Sequence, residues 1–358
     1  MLHLSHLHAW DIEGSPFGAE LRRLGVAHRF LPTPVNMRYR SVAGLLLRVY
    51  PTLVRRTLAT AIASLLRGRP VPDAMVVSSD IEALIYGTLR TVLRRRTLVV
   101  LPTLIVTPRR APLLNAIYMA YWRLVMATID LGICHARAEL ATYARLFPRH
   151  ARKLAFVPFG TTVTDREELQ RAPPLGDGVP VIVTAGRSGR DYPTLARAIA
   201  GLPCRLLILC DVSAALAGVP ASEQIEVVRD RFGDAYLATL AASAFVVVPL
   251  AVDGVSAGQM VLLQAAALGR AVVITRTATT VDYATDGQDA LLVGLGDTDG
   301  LRQAIARLLD DAALRARLGR AAAARFDREH STEAYVRGLV AAIDGRQAAL
   351  GRQPLGGR

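Results

Sequence analysis

The chain reads Asp253-Gly-Val-Ser-Ala-Gly-Gln-Met-Val-Leu-Leu-Gln-Ala-Ala-Ala-Leu-Gly-Arg-Ala-Val-Val-Ile274 shortly after the apolar run 245–249. That earlier run predicts a short buried strand, and the small-residue turn Ser256-Ala-Gly-Gln259 precedes an apolar helix. The run 271–274 predicts the next strand. Strand, helix and strand in this order indicate a βαβ unit within a parallel sheet.

The turn before this helix is also a candidate binding site. The first backbone N–H groups of a helix have no partner inside the helix, and together with the helix dipole they attract anions. A diphosphate would suit that position. An ordinary loop in which Ser256 caps the helix explains the same residues, so both interpretations remain open at this point.

The same alternation of short apolar runs and helical segments continues along the whole chain. Helices are predicted over 51–67, 112–127, 136–146 and 299–344. Strands are predicted in the first half over 2–7, 27–31, 74–78, 98–101, 131–135 and 155–158, and in the second half from 181 onward and over 205–209, 225–228, 245–249, 271–274 and 290–293.

The two halves are separated by residues 164–180, which are polar and then rich in proline and glycine, and which predict an interdomain linker. A length of 358 residues suits two domains of ordinary size. We therefore expect an α/β protein with two Rossmann-like domains, 1–163 and 179–345, that face each other across a cleft. Residues 346–358 are expected to be a disordered tail.

Composition favours a packed globular protein, with 52% hydrophobic and 20% charged residues. The three cysteines lack CxxC spacing, which argues against a disulfide framework or a zinc site and suits a reducing cytosol. Residues 1–10 do not resemble a signal peptide. The uncharged stretch 235–252 is interrupted by polar residues and proline and falls short of the ~20 residues of a spanning helix, so no transmembrane segment is expected.

The net charge of +13 belongs to one half of the chain. Residues 1–170 hold 23 Arg and Lys against 11 Asp and Glu, whereas residues 171–358 hold 20 against 19. Such a basic half fits nucleic acid, an anionic membrane surface or a phosphorylated acceptor. The absence of a recognisable nucleic-acid-binding motif argues against the first. Tyr118, Tyr121 and Trp122 among the arginines suit a membrane interface, although solvated helix faces and ordinary core explain them equally well.

Three motifs in the second half resemble the donor-binding elements of retaining GT-B glycosyltransferases (glycosyl transferase group 1, family 4-like). Leu262-Leu-Gln-Ala-Ala-Ala-Leu-Gly-Arg-Ala-Val-Val273 resembles the second part of their Glu-Gly-Phe-Gly-x-x-x-x-Glu-Ala-Met-Ala-x-Gly-x-Pro-Val-Val signature. Gly186-Arg-Ser-Gly-Arg-Asp-Tyr-Pro-Thr-Leu195 is similar to Gly-Arg-x-x-x-Lys-Gly-x-x-x-Leu. Asp282-Tyr-Ala-Thr-Asp-Gly-Gln-Asp-Ala-Leu-Leu-Val293 is similar to Glu-x-x-x-x-Gly-x-x-Gly-Leu-Leu-Val. The resemblance is strong over residues 155–345 and weak before them.

This resemblance implies a donor-binding C-terminal domain and an acceptor-binding N-terminal domain. Arg187, which follows Gly186, would contact the donor diphosphate, and Arg190 stands near the family's lysine with the same role. A surface ion pair is the alternative interpretation of Arg187. Val228 and Arg229 are the candidates for contacts with the nucleotide base.

At the start of the helix, the resemblance places the amides of Gly258, Gln259 and Met260 against the sugar and phosphates. Ser256 and Gln264 stand where the family has two glutamates. A glutamine amide can hydrogen-bond ribose hydroxyls, but a serine cannot supply a carboxylate to the donor sugar. Gln259 is a candidate for that second contact. Gln264 can also be interpreted as a plain polar residue on a helix face.

The first half should supply the acceptor site and any base. The region 98–110 contains no histidine, although the family often has one after a central strand of this domain. His8, Asp11 and Glu13 follow the first strand, where α/β folds place ligands, and are the catalytic candidates. Solvated loop acids explain Asp11 and Glu13 as well. His135 is expected to be structural.

The function expected is transfer of a sugar from a nucleotide-diphosphate sugar to a lipid-linked, polysaccharide or small-molecule acceptor, with retention at the anomeric carbon. Neither a cofactor nor a metal is expected, because arginines and a helix dipole can neutralise the leaving diphosphate. We expect a bacterial, cytoplasmic protein with peripheral contact to anionic membrane through the N-terminal domain, and no nucleic-acid partner. The alternatives are a nucleotide-sugar epimerase on the same fold and a catalytically silent partner protein.

Overall fold

The computed structural model describes residues 1–6, 14–32, 50–67 and 71–355. The chain divides into two compact units. The first contains Met1–Val157 and the residues from Val336 onward, and the second contains Pro158–Tyr335. Each unit is built around its own parallel sheet.

The described residues of the first unit form a six-stranded sheet in the order β2-β1-β3-β4-β5-β6, in which every pair is parallel. Its strands are β1 Leu2–His6, β2 His28–Pro32, β3 Ala74–Val76, β4 Leu98–Leu101, β5 Leu131–Cys134 and β6 Leu154–Phe156. Its helices before the crossing to the second unit are α1 Pro16–Arg23, α2 Tyr50–Ile62 with a π turn to Arg67, α3 Asp80–Val92, α4 Pro112–Thr128 and α5 Arg137–Leu146.

The central strands of this sheet are apolar throughout because both of their faces are covered. All four residues of β4 and of β5 are buried. Helices α3 and α4 approach closely at Gly87, where an added Cβ would lie 2.5 Å from the Cβ and the carbonyl oxygen of Thr128. Lys153, the only lysine of the chain, donates to the carbonyls of Met126, Ala127 and Ile129 at the end of α4. The lysine therefore caps that helix.

The second unit has a six-stranded parallel sheet in the order β12-β11-β10-β7-β8-β9. Its strands are β7 Val181–Ala185, β8 Arg205–Leu209, β9 Ile225–Val228, β10 Val246–Val248, β11 Val272–Thr275 and β12 Leu291–Val293. Its helices are α6 Arg166–Gln170, α7 Tyr192–Ile199, α8 Gly233–Ala242, α9 Gln259–Ala267, α10 Thr298–Asp310 and α11 Ala312–Arg325, followed by a π turn Phe326–His330.

Alternate residues of β7 belong to two hydrophobic clusters, one on each face of the sheet. Val181, Val183 and Ala185 pack with helix α9, whereas Ile182 packs with helices α7 and α10. This two-sided burial is the packing expected of a doubly wound α/β domain.

The segment 164–180, predicted as a linker, is packed against the second unit. It contains helix α6, and Nε of Arg166 donates to the carbonyl of Ala267 at 2.7 Å while the guanidinium lies 5.3 Å from the ring centre of Phe326. The amide of Leu175 donates to Ala242. Its proline- and glycine-rich composition reflects turns on the surface of the unit, so the linker prediction is corrected here.

The last helix, α12 Thr332–Ala348, begins in the second unit and continues in the first. Nη1 of Arg337 lies 3.0 Å from Oε1 of Glu20 on α1, and an added Cβ at Gly338 would contact Val157. Leu355 is buried, and its amide donates to Asp344. The predicted disordered tail from residue 346 is therefore ordered up to Leu355, because its apolar residues pack on the first unit.

Within the part of the chain that the structure describes, no helix is both long and apolar enough to cross a membrane.

Candidate active site

A pocket of about 360 Å³ lies at the carboxyl ends of β7, β8 and β9 in the second unit. Ligands of open α/β sheets bind at this edge because the loops that follow the strands converge there. The lining comes from the loops after the three strands, from α8 and from the first two turns of α9: Gly186, Arg187, Arg190, Leu209, Cys210, Asp211, Val228, Arg229, Arg231, Phe232, Gly233, Tyr236, Met260, Val261 and Gln264.

Arg187 lies at this pocket and is paired with an acid. Its Nε and Nη2 donate to the two carboxylate oxygens of Asp211 at 2.6 and 2.7 Å, and its guanidinium carbon lies 5.8 Å from the ring centre of Phe232. The surface ion pair that the sequence analysis considered for Arg187 is therefore present in the structure. The pair is largely open to water, with the arginine side chain 58% and the aspartate 31% exposed. Three of the five guanidinium N–H donors remain for another anion.

Arg190 supports the turn that follows β7. Its Nε donates to the carbonyl of Ala185 at 2.8 Å and its Nη1 donates to the carbonyl of Ser188 at 2.9 Å. Burial lowers the pKa of this guanidinium, and the nearby Tyr192 and Tyr236 raise it. Gly186 has φ +123°, and a side chain there would collide with the guanidinium of Arg190. The backbone conformation therefore favours glycine, and a side chain at this position would displace the guanidinium of Arg190.

Gln264 lines the pocket from α9. Its Oε1 accepts a hydrogen bond of 3.1 Å from the hydroxyl of Tyr236 on α8. Burial raises the pKa of Tyr236 to about 12, against an opposing effect of Arg190, so the phenol keeps its proton. The Nε2 of Gln264 has no hydrogen bond to any described residue.

The start of α9 has the conformation that the sequence suggests for an anion site. Gly258 is the N-cap with φ +85°, and no side chain caps the helix, so its first N–H groups are free of capping bonds. Gln259 is only 7% exposed, and its buried Nε2 has no hydrogen-bond partner within the described ranges. Met260 lines the pocket, whereas Ser256, Gly258 and Gln259 lie outside its lining.

Val228 and Arg229, the candidates for base contacts, line the pocket after β9. Nη1 of Arg229 donates to the hydroxyl of Ser213 at 3.1 Å. The exposed ring of Phe232 and the side chain of Arg231 are neighbours that the motifs did not single out. A flat aromatic ring beside arginines offers a stacking surface for a nucleobase.

A second, larger pocket of about 760 Å³ lies in the first unit, at the carboxyl ends of β3 and β4. It is lined by the start of α3, the loop after β4 and the inner face of α4: Ser78, Ser79, Asp80, Ile81, Leu101, Thr103, Ile105, Arg109, Tyr118, Tyr121 and Trp122. The sequence left the three aromatic residues open between a membrane interface and ordinary core. They line this pocket, and Trp122 is buried in the core, because they occupy the inner face of α4.

Two pocket residues, Asp80 and Thr103, are held by hydrogen bonds to neighbouring side chains. The hydroxyl of Tyr121 donates to Oδ2 of Asp80 at 2.8 Å, which orients the carboxylate. Nδ1 of His135 pairs with the carbonyl of Val157 at 2.9 Å, so that Nε2 accepts from the hydroxyl of Thr103 at 3.0 Å. Burial lowers the pKa of His135 and keeps it neutral. His135 is therefore structural, as expected from the sequence.

The catalytic candidates His8, Asp11 and Glu13 lie outside the described residues. Asp80 follows a different strand of the same sheet, and the sequence analysis did not identify it. No motif marks it. The signal that could have found it is its place directly after the predicted strand 74–78, at the edge where α/β sheets bind ligands.

Comparison with known proteins identifies the second unit. Residues 179–311 match the family model described as "Glycosyl transferases group 1". None of the curated proteins matches the chain in sequence.

Solved structures resemble the whole chain at low sequence identity. Sucrose-phosphate synthase from Thermosynechococcus elongatus is 17% identical with a TM-score of 0.70, and the alignment covers 97% of this chain and 99% of that one. Anabaena HepE, solved in complex with UDP and glucose, is 15% identical with a TM-score of 0.65, over 96% and 98% of the two chains. α,α-Trehalose 6-phosphate synthase from Burkholderia multivorans is 14% identical with a TM-score of 0.64, over 98% and 99%.

The chain therefore has the GT-B fold of these glycosyltransferases, and residues 179–311 of its second unit match the glycosyl transferases group 1 family model. This match confirms the resemblance found in the sequence motifs of the second half.

Proposed function

We propose that this chain transfers a sugar from a nucleotide-diphosphate sugar to a hydroxyl group of a lipid-linked, polysaccharide or small-molecule acceptor, with retention of anomeric configuration. The observation that carries the proposal is the pocket in the second unit, whose lining combines Arg187, Arg229 and Arg231 with Met260 and Val261 from the first turn of the uncapped helix α9. Phosphate groups are the natural ligands of such a set.

In the proposed reaction, the bond between the anomeric carbon and the β-phosphate oxygen breaks, and a bond from that carbon to the acceptor oxygen forms. The acceptor proton passes to the departing phosphate oxygen, so no side chain needs to act as nucleophile. Arg187 and the N–H groups at the start of α9 stabilise the negative charge that develops on the leaving group. This scheme needs no metal or other cofactor, and it tolerates the absence of a carboxylate at positions 256 and 264.

UDP is the first nucleotide to test, because Anabaena HepE has been solved with UDP and with UDP-glucose. In this chain the base would lie against Phe232 and Val228, beside Arg229. The ribose would lie at Gln264 and the diphosphate at Arg187.

The acceptor would occupy the pocket of the first unit. Aromatic rings that stack on the C–H faces of a sugar, together with a carboxylate that accepts its hydroxyl protons, form a suitable wall for an acceptor sugar. Tyr118, Tyr121 and Asp80 supply these groups. Asp80 is a further candidate partner of the acceptor hydroxyl, in addition to His8, Asp11 and Glu13.

The peripheral membrane contact is assigned to the outer face of α4, which consists of Leu113, Leu114, Ile117 and Leu124. Their exposed fractions are 74%, 61%, 61% and 53%. Arg109, Arg110 and Arg123 are exposed beside them. An apolar face flanked by arginines suits the surface of an anionic bilayer at the cytoplasmic side, where a lipid-linked acceptor would be presented.

The test is thermal unfolding of the protein with UDP, GDP, ADP, CDP and the corresponding nucleotide sugars, compared with Arg187→Ala and the control Arg307→Ala. Arg307 is an exposed arginine of α10 outside the pocket lining. A ligand at a hundredfold excess over its Kd stabilises the fold by roughly 2.7 kcal/mol, which is easily measured. We expect a shift with one base, lost in Arg187→Ala and kept in Arg307→Ala.

An assay of sugar release from the nucleotide sugar that gives the thermal shift addresses the catalytically silent alternative, which the serine and glutamine at positions 256 and 264 favour. A protein that binds a nucleotide but releases no sugar from any nucleotide sugar, either to water or to an acceptor extract, fits the silent protein. Absence of any nucleotide-dependent shift contradicts the donor site itself.

A further inference from the structure

Two residues in the lining of the second unit's pocket form a pair that departs from the family pattern. Where the pattern has a glutamate, this chain has Gln264, and the hydroxyl of Tyr236 donates to its Oε1 at 3.1 Å. Tyr236 lies on α8 and Gln264 on α9, so the bond joins two helices at the pocket lining. The motif comparison singles out Gln264 alone, because Tyr236 belongs to no motif.

The bond determines which end of the amide remains for a ligand. The phenol hydroxyl donates its proton, and the atom of the amide that accepts it is the oxygen. The NH2 group of Gln264 has no bond to any other described residue and belongs to a side chain that lines the pocket. What the pocket offers at this position is therefore a pair of hydrogen-bond donors.

A glutamate in the same place would offer the opposite polarity. A carboxylate only accepts, so a ribose hydroxyl must donate its proton to it. An amide NH2 donates, so the ribose need supply only an oxygen atom. The replacement also leaves Asp211 as the carboxylate in a pocket lining with four arginines: Arg187, Arg190, Arg229 and Arg231.

We propose that Tyr236 is a positioning residue that holds the amide of Gln264 so that its NH2 group donates to a ribose hydroxyl oxygen of the bound nucleotide. This inference rests on the proposed function, since it requires a nucleotide in the pocket. It adds Tyr236 as the residue that fixes the direction of the hydrogen bond, and it names a ribose hydroxyl oxygen as the ligand atom that is recognised.

The first test compares the Kd of UDP with those of 2′-deoxy-UDP and 3′-deoxy-UDP by calorimetry; if another base gave the larger thermal shift, its diphosphates replace those of uridine. Loss of one such hydrogen bond should weaken binding of one deoxy analogue roughly 5- to 10-fold in the unchanged protein. In Tyr236→Phe the amide is no longer held, and the ratio of the Kd of that deoxy analogue to the Kd of UDP should fall to about 2. In Gln264→Met it should fall to about 1.

Tyr283→Phe is the matched control. Tyr283 is a buried tyrosine of the same unit whose hydroxyl accepts from the amide of Phe159, outside the pocket lining. Its loss should leave the ratio between ribose and deoxyribose forms unchanged. A merely structural role for Tyr236 would lower the melting temperature and the affinity for all three nucleotides together, without changing their ratio.

A second test asks whether the side chain of residue 264 donates or accepts the hydrogen bond with the ribose. The ether oxygens of 2′-O-methyl-UDP and 3′-O-methyl-UDP accept hydrogen bonds but cannot donate them. For the methylated position that faces residue 264, the affinity relative to UDP should be several-fold higher in the unchanged protein than in Gln264→Glu. Since both proteins meet the same methyl group, its size cancels in the comparison.

The outcomes separate the two proposals. If no nucleoside diphosphate binds, both the proposed function and this inference fail. If nucleotides bind but the deoxy ratio is the same in Tyr236→Phe as in the unchanged protein, only the role of Tyr236 fails. If Gln264→Glu binds the O-methyl forms as well as the unchanged protein does, the assigned direction of the hydrogen bond is wrong.

Discussion

Arg187 and Asp211 form a two-pronged ion pair at the pocket of the second unit, with N···O distances of 2.6 and 2.7 Å. The planar guanidinium matches the carboxylate with two parallel bonds, the same geometry that it would use toward a phosphate. The aspartate therefore occupies part of the arginine's binding capacity. A diphosphate must either share the guanidinium with Asp211 or displace the carboxylate.

The first prediction concerns this competition. In Asp211→Asn the arginine loses its charged partner, so UDP should bind roughly two- to fivefold more tightly, an effect of the size expected for an exposed ion pair. Isothermal titration at low and high salt measures it, and the gain should shrink with added salt. Weaker binding by Asp211→Asn would mean that the aspartate holds Arg187 in its binding orientation instead.

The second prediction concerns the outer face of α4. Replacing Leu114 and Ile117 together by glutamine should reduce binding to vesicles of phosphatidylcholine and phosphatidylglycerol by about tenfold, because two large apolar side chains no longer enter the bilayer surface. Cosedimentation with the vesicles measures it. Val92→Gln is the control, since Val92 is an equally exposed apolar residue on α3. Equal binding by all three proteins contradicts the assignment of this face.

The third prediction is a loss of stability in acid that depends on His330. This side chain is buried and stacked on Tyr283, and burial, aided by Arg325, lowers its pKa from 6.5 to about 4 against the opposing effects of Glu329 and Asp289. The unfolded chain takes up the proton between about pH 6.5 and 4, whereas the folded protein does not. Its contribution to stability is therefore complete above about pH 6.5 and is lost as the pH falls toward 4.

Urea unfolding at several pH values measures this effect. The free energy of unfolding should decrease by up to about 3 kcal/mol across the window on account of His330. In His330→Phe the decrease should be smaller by that amount, whereas His28→Phe in the first unit should keep the full slope. A slope that is the same in His330→Phe and in the unchanged protein counts against the histidine as its source.

The fourth prediction concerns the contact between α3 and α4. Gly87→Ala places a methyl group against the backbone of Thr128, which cannot move aside, so the free energy of unfolding should fall by about 1 to 3 kcal/mol. Gly345→Ala is the matched control in helix α12, where an added Cβ meets nothing within 4 Å. That change should be neutral or stabilise by up to about 1 kcal/mol. Equal effects of the two substitutions would show that the helices can separate at Gly87 without cost.

The strands were predictable because strands of a parallel sheet are covered on both faces and therefore appear as continuous apolar runs. The predicted runs 98–101, 205–209 and 225–228 coincide with β4, β8 and β9. Several helices were harder to recognise. Asp80–Val92 mixes charged, glycine and apolar residues, since one of its faces is solvated and Gly87 is needed for close packing. The final helical stretch was predicted as one segment but is interrupted at Asp311 and at Ser331.

The pocket of the second unit was predictable only where its residues belong to a motif. Arg187 and Gln264 could be placed from family spacing, and both line the pocket. Asp211 and Tyr236 could not, because each reaches the pocket from a separate strand or helix through tertiary packing alone. The pairings of Arg187 with Asp211 and of Gln264 with Tyr236 are properties of the fold, and no local pattern in the sequence contains them.

Because helix α12 returns the chain to the first unit, the gene cannot be cut at a single point into two complete units. Val336, Leu339, Val340 and Ile343 are buried, although they follow the whole second unit in the sequence. In genetic terms, the second unit is an insertion within the first. A fragment ending at Val157 lacks four apolar side chains of its own interior, whereas Pro158–Tyr335 is continuous. Of the two units, only the second can therefore be obtained intact from one uninterrupted stretch of the reading frame.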